Sequence, residues 1–142
     1  MNNKGFTLIE VIVTIAIIGI ISGIAYGSIT AMQTRNKSKR YQTYEQVLVT
    51  GTKLYVDQYS RDMWDDENDS QCYAITYNTL LNNSLIQAYS QVGEIIDTTN
   101  TKVYVVRESG SDNYYPYLKV NGTKSKIYES NISINVTGCI NQ

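Results

Sequence analysis

With 142 residues, a net charge of −1 and no histidine, the chain excludes several classes of protein before any motif is considered. The lack of histidine rules out Ser-His and Cys-His nucleophile pairs and histidine metal sites, and no glycine-rich phosphate loop is present, so we expect neither an enzyme nor a cofactor. The nearly balanced charge argues against nucleic acid as the main partner of the whole molecule.

The first predicted element is a membrane-spanning helix. No formal charge occurs from Val11 to Thr34, a run of 24 residues that spans roughly 36 Å as a helix. A bilayer needs about 20 such residues, and lipid permits a single segment to cross only as a helix. We therefore predict a transmembrane helix over residues 6–33, preceded by a short leader (residues 1–5) and followed by a domain of residues 34–142.

The leader differs from an ordinary secretory signal. The apolar run is too long for one, and no A-x-A cleavage site follows it. The chain instead has a short polar start that ends in Gly5, directly before the apolar run. A cut after Gly5 would leave the membrane helix on the mature protein.

Residues 4–10, KGFTLIE, followed by an unbroken apolar helix, resemble the N-terminal motif of type IV pilins and of the pseudopilins of secretion and competence systems. The resemblance implies that a membrane prepilin peptidase cleaves between Gly5 and Phe6 and methylates the new amino terminus at Phe6. It also implies a membrane assembly platform with its ATPase, and polymerisation with other pilin subunits.

Glu10 is the single acid near the start of the apolar helix. An ionised side chain at the middle of a membrane helix costs about 2.5 to 3.5 kcal/mol, and such a residue usually faces a partner. Cleavage would create a cationic amine on Phe6, one helical turn away. Two alternatives stay open: a local pair within one chain, or the subunit assembly contact that the resemblance implies, in which Glu10 meets the Phe6 amine of a neighbouring subunit and checks its register.

Three glycines follow at four-residue spacing, Gly19, Gly23 and Gly27. The spacing places them along one helix face, where they let a neighbouring helix approach closely. The alternative is that small residues are simply common in membrane helices. Many members of the resembled family carry proline at the position of Gly27, so a local loosening of the helix there also stays open.

A basic cluster follows the apolar run: Arg35, Lys37, Lys39 and Arg40. By the positive-inside rule alone, this cluster would place the carboxy-terminal domain in the cytoplasm. The resemblance implies the opposite, a domain outside the cytoplasmic membrane and later in an extracellular filament, and our prediction follows the resemblance. The cluster either contacts lipid phosphates and weakly attracts DNA, or forms a solvated turn of helix.

Beyond the cluster, apolar residues at 3- and 4-residue steps predict that the helix continues to about Arg61; these residues are Tyr44, Val47, Leu48, Gly51, Leu54, Tyr55 and Tyr59. An acidic loop, DMWDDENDS, follows. Asp65, Glu67 and Asp69 alternate as in an EF-hand, but Ser70 replaces the required glycine and Thr76 replaces the bidentate glutamate. A looser calcium site or a hydrated loop are the alternatives.

The remainder predicts a small α+β head. AITYNTLLNNSLIQAY indicates a short second helix capped by Thr76 or Asn78. Strands are expected at Lys102–Glu108, Tyr115–Val120 and Ile132–Val136, with a short extra strand around Ile127, because β-rich runs alternate with turn signals such as NG. Pro116 suits an edge strand or a strand start. The fold class is a long N-terminal helix packed on a small antiparallel sheet.

Cys72 and Cys139 form either a disulfide or two buried thiols, and an even count in an exported domain favours the disulfide. The resemblance favours a structural subunit of a type IV pilus that serves adhesion, motility or aggregation. One alternative is a pseudopilin of a type II secretion or DNA-uptake system. The other is a monomeric membrane-anchored binding domain.

Overall fold

The computed structural model describes residues 6–63, 72–123 and 125–142, with the backbone alone at 24–27 and 60–63. It divides into two compact units, Met1–Arg40 and Tyr41–Gln142. The predicted acidic loop, with Asp65, Glu67 and Asp69, lies outside the described residues. Each unit is described by itself below.

The first helix, α1, runs from Leu8 to Met63 and is 56 residues long. This confirms the predicted long helix, whose observed end lies two residues beyond Arg61. Within the first unit its large apolar side chains are exposed from Leu8 to Ile21 and again at Ile29 and Met32. Among the described residues, this helix meets the length and composition needed to cross a membrane. The helical backbone continues through Gly27 without a break.

The second unit contains the end of α1 and eight further elements. In chain order these are β1 (Cys72–Thr76), α2 (Tyr77–Asn82), β2 (Glu94–Ile96), β3 (Lys102–Glu108), β4 (Ser111–Tyr117), β5 (Lys119–Gly122), β6 (Lys126–Glu129) and β7 (Ile140–Asn141). They form two sheets, one in the order β4-β3-β1-β7 and one in the order β2-β5-β6. All described pairings between these strands are antiparallel except the parallel pair of β1 and β7.

Strand β3 has the residues predicted for it, because its sequence alternates between two environments. Val103 and Val105 are fully buried, while the alternate residues Lys102, Tyr104 and Val106 are partly exposed. A tight turn at Ser109 and Gly110, both with positive φ, then reverses the chain into β4. The turn signal after Glu108 thus correctly marks a hairpin.

Helix α2 begins where the sequence places a cap. Thr76 is the N-cap, and its hydroxyl accepts a hydrogen bond from the backbone N–H of Thr79 at 3.1 Å. The helix is only six residues long, and Leu85 lies beyond its end. The residues before the cap, for which the sequence predicted no strand, form β1, because they pair with β3 along their whole length.

Two predicted strands differ from the structure. The run Tyr115–Val120 divides at Leu118, so its first half belongs to β4 in one sheet and its second half to β5 in the other. The strand predicted at Ile132–Val136 is wrong: this segment has no strand partner among the described residues. The extra strand around Ile127 is confirmed as β6, which pairs with β5, and Asn121 and Gly122 of the NG signal form the end of β5. Pro116 lies on the edge strand β4, as predicted.

The core of the second unit packs one face of α1 against both sheets. Leu48 and Thr52 on the helix are fully buried, as are Val103 and Val120 on the strands. Gly51 is required at this contact, since a Cβ there would lie 2.6 Å from the Ile86 side chain. Val47 and Leu54, predicted on the apolar face, are exposed instead.

The disulfide is confirmed. Cys72 and Cys139 are bonded, with their Cα atoms 4.6 Å apart and a sequence separation of 67. The bond joins the first residue of β1 to the residue before β7. It therefore fixes the segment before β7 to the sheet that contains β1.

Candidate assembly segment at the N terminus

The start of α1 is closed by a reciprocal pair of contacts between Thr7 and Glu10. The Glu10 Oε2 atom accepts hydrogen bonds from the Thr7 backbone N–H at 2.8 Å and from the Thr7 hydroxyl at 2.7 Å. In return, the Glu10 backbone N–H donates to Thr7 Oγ1 at 3.4 Å. Because α1 begins at Leu8, these residues occupy the N-cap and third helical positions of a capping box.

Sequence reasoning singled out Glu10 but missed Thr7. The signal was present as T-L-I-E, a threonine followed three residues later by glutamate directly before an apolar run. The capping box gives Glu10 a local function before any neighbour is present. Its carboxylate satisfies helix-terminal donors and complements the positive end of the helix dipole.

Phe6, the predicted first residue after cleavage, is highly exposed, at 87%. Gly5, on the other side of the predicted scissile bond, lies outside the described residues. In the uncleaved chain the Phe6 nitrogen is a peptide amide, so the charge pair with Glu10 requires processing first. The roles of Phe6 and Glu10 in assembly therefore stay predictions.

The polar side chains inside the apolar helix are satisfied within it. The Thr14 hydroxyl donates to the carbonyl of Val11 at 2.8 Å, and the Ser22 hydroxyl donates to that of Ile18 at 2.7 Å. Such bonds remove the cost of bringing a free hydroxyl into hydrocarbon. The surface that this helix presents is therefore effectively apolar.

The glycine face is open. A Cβ built at Gly19 or Gly23 would meet no atom within 4 Å. Four-residue spacing leaves these two glycines close to one line along the helix. Gly27 lies in the stretch of which only the backbone is described, so close helix packing at Gly19, Gly23 and Gly27 stays a prediction.

The basic cluster and the candidate metal ligands provide less structural information about function than the helix start does. Arg35, Lys37 and Lys39 are exposed, and Arg40 is partly buried. Within the ranges that the structure describes, no group of three or more acidic or cysteine side chains is arranged to hold a metal ion. The acidic loop lies outside those ranges.

Comparison with known proteins supports the interpretation of the N-terminal sequence as a prepilin-like motif. Residues 1–26 match a family model described as the prokaryotic N-terminal methylation motif. The chain carries the N-terminal signal of type IV pilins and prepilin-like proteins. The resemblance predicted from KGFTLIE is thereby confirmed for this prepilin-like segment.

A curated relative extends this similarity. The type IV major pilin protein PilA of Myxococcus xanthus (strain DK1622) is 37% identical over 60 residues, which cover 42% of this chain and 27% of the relative. The prepilin-like chain thus aligns with little more than a quarter of the relative's length. No solved structure matches it.

Proposed function

We propose that this chain is the structural subunit of a type IV pilus, cut after Gly5, methylated at Phe6 and polymerised through its N-terminal helix into an extracellular filament. The observation that carries the proposal is the methylation motif over residues 1–26, which from Leu8 onward lies in a helix with exposed apolar side chains. The filament would serve adhesion, motility or aggregation.

The proposed cycle begins in the cytoplasmic membrane. The apolar part of α1 spans the bilayer, with residues 34–142 on the outer side, where the basic cluster of Arg35, Lys37, Lys39 and Arg40 lies near lipid phosphates. Prepilin peptidase removes residues 1–5. The membrane assembly platform and its ATPase then supply the work of extracting the helix, because its apolar surface is stable in lipid.

Two groups compete for the Glu10 carboxylate in this account. In the uncleaved chain, Thr7 supplies both hydrogen bonds to Oε2. After cleavage, the Phe6 amine of a neighbouring subunit pairs with the same carboxylate in a dry bundle of helices. A subunit out of register would leave one charge buried without its partner, which costs several kcal/mol. The charge pair thus selects the register, and Thr7 holds the carboxylate beforehand.

The experiment is to recover this chain from sheared surface material and from membranes, and to determine its N-terminal peptide by mass spectrometry alongside electron microscopy of labelled filaments. We expect long labelled fibres whose subunits begin at N-methylated Phe6. Short stubs would instead identify a pseudopilin. A chain that begins at Met1, or that occurs only as a membrane monomer, would contradict the proposal.

A further inference from the structure

A cleft of about 700 Å³ lies in the second unit, outside the helix start. One wall is the face of the first sheet opposite to the buried valines of β3. Lys102 and Tyr104 lie two residues apart on β3, and Tyr117 of β4 is directly opposite Lys102, so all three share that face. The other wall is the segment of residues 130–136, with Ile132, Ile134 and Val136 facing the cleft.

Within this second wall, residues 131–136 form no strand with any described residue. Its side chains alternate strictly: positions 131, 133 and 135 are exposed, while Ile132, Ile134 and Val136 are partly buried. Within the described part of the chain, the backbone of residues 131–134 makes no hydrogen bond. The bonds that the segment does make begin at Asn135, whose side chain accepts from Thr137, and at Val136, whose carbonyl accepts from Cys139.

The cleft also holds a positive charge. The Lys102 ammonium lies 3.5 Å from the amide oxygen of Asn141 and 5.9 Å from the centre of the Tyr104 ring, and both groups are neutral. The other lysine of the cleft, Lys126, is paired with Glu129 at 2.6 Å. A ligand that enters the cleft therefore meets one cation that no carboxylate of the described residues neutralises.

We propose that this cleft binds an extended peptide from another protein, which adds as a strand along residues 131–134. The open backbone groups supply the hydrogen-bond ladder, the alternate apolar side chains supply pockets, and Lys102 selects a peptide that carries a carboxylate. A strand rises about 3.3 Å per residue, so four paired residues occupy about 13 Å. The site shares no lining residue with the N-terminal helix through which the filament is proposed to assemble.

The chemistry favours a peptide over an anionic polymer. Sugars and nucleic acid would use the lysine and the tyrosine rings, but they offer no regular backbone of donors and acceptors to pair with the open peptide groups on one edge of the segment. A peptide strand pairs with the peptide groups of alternate residues on that edge, and it also fills the apolar side of the cleft.

The test uses the full-length processed chain in detergent micelles and a fluorescent synthetic hexapeptide of alternating valine and threonine with one central glutamate. We expect saturable binding below about 1 mM and slowed hydrogen exchange at alternate amides among residues 131–134. A peptide N-methylated at alternate amides keeps its side chains but loses its donors, and should bind at least about tenfold more weakly.

Variants separate the peptide site from nonspecific adhesion. Lys102→Glu should weaken the glutamate peptide at least about tenfold and favour a peptide with lysine at the same place. Ile134→Asn should weaken binding, whereas the matched control Ile95→Asn, at an exposed isoleucine outside the cleft, should not. An intact disulfide and an unchanged circular dichroism spectrum show that each variant is folded.

Three results would overturn the proposal. The first is no binding at about 1 mM peptide. The second is equal binding of the N-methylated peptide. The third is binding that neither Lys102→Glu nor Ile134→Asn alters. This third result includes binding of polyanions such as DNA in place of the peptide, and self-association of the chain through this segment.

Discussion

The two units of this chain place the same kinds of apolar side chain in opposite environments. In the first unit Ile15 is 61% exposed, and its neighbours along the helix are similarly open. In the second unit Val103 and Val105 are fully buried beneath α1. The difference teaches that one unit completes its own core, while the other requires lipid or further helices to cover it.

Glycines show the same contrast. At Gly51 in the second unit the Ile86 side chain already occupies the neighbouring space, since a Cβ on Gly51 would lie 2.6 Å from it. Gly19 and Gly23 in the first unit have open space where a Cβ would be. The first is a contact that the chain makes with itself, and the other two are positions at which another helix can still approach.

The largest expected effect is confined to the second unit. Replacing both Cys72 and Cys139 by serine removes the cross-link over 67 residues and should lower the free energy of unfolding by about 4 kcal/mol in the chain-entropy model. The measurement is urea unfolding of the full chain in micelles, followed by tyrosine fluorescence. The helical signal of the first unit serves as the internal control. An unchanged urea midpoint would contradict this.

A core truncation directly compares the units. Leu48→Ala, at a fully buried position, should cost about 3 kcal/mol because it leaves a cavity. Ile15→Ala, at an exposed position of the same helix, should leave the unfolding of the second unit unchanged. Equal losses from both variants would mean that the units are not energetically distinct.

The helix start should respond less. Thr7→Val removes the hydroxyl of the capping box and should destabilise the first turn by about 1 kcal/mol, whereas Thr7→Ser should retain the cap. Hydrogen exchange at the amides of residues 8–10 in micelles measures this change. Equal exchange in Thr7→Val and Thr7→Ser would show that the hydroxyl adds nothing.

Glu10 variants separate the cap from the proposed register check. Glu10→Gln keeps an oxygen that accepts from Thr7 but carries no charge, and Glu10→Val removes both. We expect both variants to insert into the membrane and to be cleaved, and both to enter filaments several-fold less than the native chain. Filament entry of Glu10→Gln at the native level would assign Glu10 to the cap alone.

The smallest effect appears only in alkali. Burial, together with the hydrogen bond to Glu45, raises the pKa of Tyr128 to about 12. The unfolded chain has a tyrosine pKa near 10, so the folded state binds more protons between these values. Stability from this group should be complete below about pH 10 and decline as the pH rises toward 12. Urea midpoints measured over this range should decline less in Tyr128→Phe.

The sequence predicted those elements whose pattern needs only local physics. The long helix follows from an uncharged run that continues into 3- and 4-residue steps, and β3 follows from alternation around Val103 and Val105. The cap at Thr76, one of the two caps expected, follows from hydrogen-bonding chemistry within one turn. In each case the neighbours in sequence are also the partners that decide the structure.

Elements that depend on distant partners were predicted less well. The residues Cys72–Thr76 form a central strand because β3 pairs along them, which their own pattern does not indicate. Ile132–Val136 has the alternation of a strand, but no described strand pairs with it in the structure. In the candidate site, Glu10 was identified from its unusual charge. Thr7 was missed, although the three-residue spacing between Thr7 and Glu10 before an apolar run is the signature of a capping box.

Photo-crosslinking most directly tests whether the exposed helix exchanges lipid for other copies. A benzophenone amino acid replaces Ile15, and cells expressing the chain are irradiated before membranes and sheared surface material are separated. The account predicts lipid adducts in the membrane fraction and a ladder of covalently linked copies in the surface fraction, both from one position. Only single chains in every fraction, with no linked copies, would contradict it.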